Sequence, residues 1–176
     1  PRYKNISQKK IDEFYSRIIK LLETKFADKK VVMLPQTYKS VINDYEYFLK
    51  LKEMSGNKNI IVIDENQSSD VQQEIIKKSC LVIGARYHSV VFAINNEIPF
   101  VSLSYEHKMK GLLEVLDMTD RMVEIQDIFD GKSGEFEKAL DKIELLVSGK
   151  LEKPSASQAR QLVQSGFERF CEEVSK

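Results

Sequence analysis

Apolar side chains at Ile11, Phe14, Tyr15, Ile18, Ile19, Leu22 and Phe26 recur every three or four positions, the spacing that lines one face of a helix. Ser7 stands ahead of them as an N-cap, so a helix is predicted over 7–26. Val31, Val32, Met33 and Leu34 form a short unbroken apolar run stopped by Pro35, which reads as a buried strand. The alternation continues. A helix capped by Asn43 or Asp44 runs through Met54 and ends at Gly56. A strand follows over 59–63, and a helix capped by Ser68 or Ser69 reaches Lys78. Residues 80–83 make a third strand, closed by Gly84, and the helix after it extends to Ile94. Further on, a strand is predicted over 99–103, a helix over 106–116, a short strand over 121–125 and a helix over 133–148. Lys153, Pro154 and Ser155 break the chain before a final amphipathic helix over 157–174, with Leu162, Val163, Phe167 and Phe170 on roughly one side.

Strands that are almost wholly apolar and alternate with helices predict an α/β fold of Rossmann-like, three-layer build. Its sheet should be mainly parallel and covered on both faces, with right-handed crossovers. The expected domain spans residues 1–152. The helical tail, 153–176, is expected to pack on that domain or on a separate N-terminal half. In such sheets ligands collect at the carboxyl ends of the strands, where loops lead into helix N-termini.

Composition narrows the function classes. The 176 residues are 42% hydrophobic and 31% charged, which suits one domain with a real core. Acidic and basic residues balance at 27 each, so no broad attraction to nucleic acid is expected. No segment approaches the roughly 18 apolar residues of a membrane span. No signal-peptide pattern is legible either, so a cytoplasmic location is expected. Cys80 and Cys171 lack metal-ligand spacing and read as thiols in a reducing compartment; no metal and no cofactor are predicted.

Candidate chemistry falls on two loops. The first, residues 84–89, follows the strand over 80–83; the second, residues 104–108, follows the strand over 99–103. Both of the chain's histidines, His88 and His107, lie in these loops. Arg86 offers a planar fork for carboxylate or phosphate, and Lys108 a compact positive charge. A histidine can give or take a proton near neutral pH. Each loop opens a helix, whose N-terminus favours an anion. Neighbouring strands lie about 5 Å apart, so if these two are adjacent their loops can reach one small anion together. Taken singly, such side chains are usually just solvated; their meeting at two consecutive strand ends is the signal. Tyr87 is expected to pack into the core, and Gly84 to ease the strand-to-helix turn.

Gly84, Arg86, His88, Ile98–Pro99, Tyr105, Lys108 and Gly111 together resemble the signature of the polysaccharide pyruvyltransferase family: Gly-x-Arg-x-His, an Ile-Pro step, then Tyr-x-x-Lys-x-x-Gly. Segments 34–40 and 63–76 also resemble that family, so the likeness covers about residues 30–120. One departure is Asn96–Glu97, where a glycine is more usual. The resemblance implies the C-terminal half of a glycosyltransferase-B-like enzyme, with an N-terminal half that recognises the acceptor. It implies transfer of pyruvate from phosphoenolpyruvate to a sugar of a cell-surface or exopolysaccharide, as a ketal. Arg86 and His88 would be catalytic. Ser89, Tyr105 and Lys108 would bind substrate with them, and Arg2 is a further candidate. His107 falls on an unconstrained position and is expected to be exposed. Two rivals stand beside this reading. A nucleotide-sugar glycosyltransferase shares the fold, but no Gly-x-Gly run or well-placed ribose-binding acid is visible. A donor-binding half without catalysis is the other.

Overall fold

The computed structural model describes residues 7–39, 42–64, 67–105, 107–125, 128 and 134–174. Local chemistry sets the element ends. Ser7 Oγ accepts the backbone N–H of Lys10 and starts α1 (Gln8–Lys25). Asn43 Oδ1 accepts from Tyr45 and Glu46 at the start of α2 (Asp44–Ser55), and Gly56 ends that helix in the left-handed region at φ 67. Ser68 caps α3 (Ser69–Lys77). The remaining helices are α4 (Tyr87–Asn95), α5 (His107–Val115), α6 (Glu135–Ser148) and α7 (Ala156–Val174). The predicted helix starts at 106 and 133 lie outside the described residues.

The strands are short: β1 (Val31–Met33), β2 (Tyr38–Lys39), β3 (Ile42–Asn43), β4 (Ile60–Val62), β5 (Val82–Gly84), β6 (Phe100–Ser104) and β7 (Met122–Glu124). β1 pairs with β4 in parallel, and β5, β6 and β7 form a parallel sheet in that order. β2 and β3 form a small antiparallel hairpin, with Tyr38 opposite Asn43. Neither that hairpin nor the 3₁₀ turn Thr119–Arg121 carries a hydrophobic period, so neither is predicted from the sequence. The result is a mixed α/β fold with parallel sheets, in keeping with a Rossmann-like build.

Alternation along β6 sorts the core into layers. Val101 and Leu103 face α1 and α6, where they join Phe14, Ile18, Leu140 and Ile143. Phe100 faces the other way, into a cluster with Val90, Ile94, Met109 and Leu113 of α4 and α5. A third cluster, Ile19, Met33, Leu51 and Ile60, seats α1 and α2 on the β1–β4 pair. There the expectation of a sheet covered on both faces fails. Val32 and Ile61 are direct partners across the ladder, and they remain 44% and 37% exposed. The reason is that both covering helices lie on the Met33 and Ile60 side.

Gly84 earns its place by a close approach. A Cβ there would lie 2.7 Å from Ser89 Oγ and 2.8 Å from Val90 Cγ2, and Val90 is fully buried. Gly84→Ala should therefore push α4 off β5 and lower stability by about 1–3 kcal/mol, the usual cost of overpacking. Chemical denaturation with an unchanged m-value is the measurement; an unaltered midpoint would show that the first turn of α4 yields freely.

The Asn96–Glu97 departure also has a physical reading. Glu97 adopts φ 55, the left-handed region where glycine is at ease. Its carboxylate accepts the N–H of Ala156 at 3.3 Å, at the first residue of α7. Nearby, the buried Arg121 donates through Nη1 to the Glu152 carbonyl (2.7 Å) and lays its guanidinium 5.3 Å from the centre of the Phe100 ring. α7 is thus held at its start, and it packs on α4. Its Leu162, Val163 and Phe167 are exposed, while the Phe170 side chain lies outside the described part.

Candidate functional site

β5 and β6 are neighbours, in the register Gly84 opposite Ser102, so their following loops leave from the same edge. Arg86, just past β5, occupies the N-cap position of α4 but makes no side-chain cap. Its guanidinium spans two partners instead. Nε and Nη2 donate to Asp44 Oδ2 (3.3 Å) and Oδ1 (2.5 Å), and Nη1 donates to the Tyr105 hydroxyl (3.2 Å). Tyr105 comes from the loop after β6. The structure therefore joins the two predicted loops through Arg86 and Tyr105.

Asp44 is the residue that sequence reasoning missed. It is legible only as a helix-start residue, whereas its carboxylate, 14% exposed, is the ion-pair partner of Arg86. The same carboxylate accepts the backbone N–H of Gln36 (3.2 Å). Gln36 in turn donates to Gln72 Oε1 (2.6 Å), and Gln72 donates to the Gln67 carbonyl (2.8 Å). A continuous polar chain thus runs from Gln67 to Tyr105. Burial works to lower the pKa of Arg86, but the hydrogen bonds and charge of Asp44 outweigh it, and the net shift is upward. Tyr15 of α1 adjoins this cluster. Its phenol is pushed up to about 12, first by burial and then by neighbouring Tyr105, while Arg86 pulls the other way.

The other predicted residues stand apart from that knot. His88 is exposed in the first turn of α4, its ring edge-on to Tyr87 (6.0 Å between centroids) and tilted against Phe92 (6.1 Å). Lys108 is exposed in the first turn of α5. No hydrogen bond ties either of them to Arg86 among the described residues. Ser89 Oγ is turned back on the Arg86 carbonyl (2.6 Å). Tyr87, expected in the core, is 39% exposed: it begins α4 beyond the end of β5, where no core receives it. His107 is exposed as expected, and Arg2 lies outside the described residues. Cys80 and Cys171 are exposed. Among the described residues no group of His, Cys, Asp or Glu is placed to hold a metal ion, and no helix is long and apolar enough to cross a membrane.

An arginine-centred polar cluster thus stands at the carboxyl edge of parallel strands in an α/β protein. The sequence model of the family described as polysaccharide pyruvyl transferase matches residues 1–107, and the chain belongs to that family. The matched stretch includes Asp44, Arg86, His88 and Tyr105 and stops one residue before Lys108. A curated relative, the amylovoran biosynthesis protein AmsJ of Erwinia amylovora, is 33% identical over 72 residues, 40% of this chain. The match spans only 17% of that relative's length. No solved structure matches the chain.

Proposed function

We propose that the chain is the donor-binding half of a cytoplasmic bacterial pyruvyltransferase, using phosphoenolpyruvate to modify a sugar of a cell-surface or exopolysaccharide. The observation that carries this is the Arg86–Tyr105 contact, which draws two strand-end loops into one arginine-centred polar site inside the family-matched region. A glycosyltransferase-B-like enzyme would add an N-terminal half across a cleft, and that half would hold the acceptor.

In this reading Arg86 grips the carboxylate or phosphate of the donor through N–H groups that Asp44 and Tyr105 leave open. His88, exposed at the same edge, protonates the methylene carbon. C2 then becomes electrophilic, and a sugar hydroxyl attacks it. The C2–O bond to phosphate breaks and phosphate departs toward Lys108 and the helix N-termini; a second hydroxyl closes the ketal, and of the two hydroxyl protons one returns to His88 and the other leaves on the phosphate. Ser89, whose Oγ donates to the Arg86 carbonyl, would fix the Arg86 backbone beside its role as a substrate contact.

Ligand-dependent melting tests the donor. Binding to the native state stabilises it by RT ln(1 + [L]/Kd), so phosphoenolpyruvate at about 100 times its Kd should add about 2.7 kcal/mol. The expected result is a rise in Tm with phosphoenolpyruvate and none with nucleotide sugars. The reverse pattern would replace this reading with that of a nucleotide-sugar glycosyltransferase.

A further inference from the structure

Arg86 is held in place by side chains of the chain itself. A guanidinium carries five N–H donors. Asp44 takes one on Nε and one on Nη2, and Tyr105 takes one on Nη1. Among the described residues, one N–H on each of Nη1 and Nη2 has no acceptor. Arg86 and Asp44 are 42 residues apart in sequence and follow differently paired strands. Their pairing therefore ties α2 to the start of α4 at the carboxyl edge.

Two roles are open to a carboxylate in this position. It could hold the arginine in aim, or it could occupy the arginine until an anionic substrate displaces it. The structure favours the first. Asp44 is not a mobile arm: it is the first residue of α2, and its Oδ2 is pinned by the Gln36 N–H. α2 itself is anchored through Leu51, which is 2% exposed. Displacing Asp44 would break a bidentate charged pair and strand a mostly buried carboxylate, a costly exchange for a small ligand. Tyr105 adds a third point of contact, so the plane of the guanidinium is fixed as well as its reach.

We infer that Asp44 is a positioning residue that aims the two remaining N–H groups of Arg86 at the anionic group of the donor, an inference that rests on the donor-binding reading above. The test uses the 176-residue chain with phosphoenolpyruvate as probe, by calorimetric titration. Asp44→Ala should weaken binding by roughly 10- to 100-fold, the range carried by groups that orient a metal ligand. Asp44→Asn keeps one acceptor but loses the charge that balances Arg86, so it should lower Tm while its affinity falls between the wild type and the alanine variant. A graded loss of affinity, measured well below the Tm of each variant in protein shown to be folded by circular dichroism, separates positioning from a merely structural role. In parallel, the Nε–H resonance of Arg86, identified by its absence in Arg86→Lys, should be sharp in the wild type and lost in Asp44→Ala.

Equal affinity in Asp44→Ala overturns the proposal, and tighter binding overturns it in favour of an internal competitor. If the alanine variant fails to fold, Asp44→Asn decides alone: affinity equal to wild type overturns it. Should the wild-type chain bind no phosphoenolpyruvate, the donor reading falls and the ligand half of this proposal falls with it. The Nε–H signal still judges the positioning half, and its absence in the wild type overturns that too.

Discussion

Replacing His88 by Ala is expected to lower pyruvyl-transfer turnover by roughly 10²- to 10⁴-fold, the usual contribution of a positioned general acid or base. The loss should fall on kcat. Arg86 and Tyr105 stay joined in this variant, because His88 forms no hydrogen bond with either among the described residues, and KM for the donor should stay within a few-fold. Stability should barely change. The ring of His88 is exposed and rests on Tyr87 and Phe92, and surface substitutions of this kind usually stay within about 0.5 kcal/mol. Arg86→Ala should behave in the opposite sense, with the donor KM rising first and Asp44 left without its cation. The measurement is steady-state kinetics of both variants with phosphoenolpyruvate and a saccharide acceptor, in an enzyme that contains both halves. Turnover that survives His88→Ala within a few-fold removes His88 from the chemistry and returns it to the solvated surface.

The second large effect concerns the fold. Phe100→Ala should destabilise the protein by about 3–5 kcal/mol, the range for emptying an aromatic site in a core. For a chain of this size that corresponds to a Tm lower by roughly 6–20 °C. Phe100 is fully buried on β6, packed among residues of α4 and α5. Its ring also faces the guanidinium of Arg121, which is 9% exposed, so truncation opens a cavity and strips a buried cation of its π face at once. Differential scanning calorimetry reads the change directly. A drop below about 3 °C would mean that the α4–α5 layer collapses into the space, contrary to the packing described here.

How much of this was legible beforehand follows from the range of the interactions. The cap at Ser7 and the stop at Gly56 depend on atoms within a few residues and read correctly, while two further caps are legible to within one residue, Asn43 or Asp44 and Ser68 or Ser69, of which the structure uses Asn43 and Ser68. The parallel strands β5 and β6 were legible because each is an apolar run closed by loop chemistry. The β2–β3 hairpin, with only two residue pairs, has no period to betray it. Asp44 escaped because its partner lies 42 residues on, and nothing local distinguishes a helix-starting aspartate from one that grips an arginine. Tyr87 and the Val32–Ile61 pair were misjudged for a related reason: apolar character predicts a wish to be buried, while the layout of neighbouring elements decides whether cover exists.

The Glu97 turn carries a consequence for sequence change. A glycine at that position would relax a backbone held at φ 55, where a side chain costs on the order of 1–2 kcal/mol. It would also delete the carboxylate that meets the leading N–H of α7, where an anion opposes the positive end of the helix. Local ease and the anchoring of a distant segment therefore pull against each other at a single residue. Any drift toward glycine there loosens the tail's hinge while leaving the parallel strands intact.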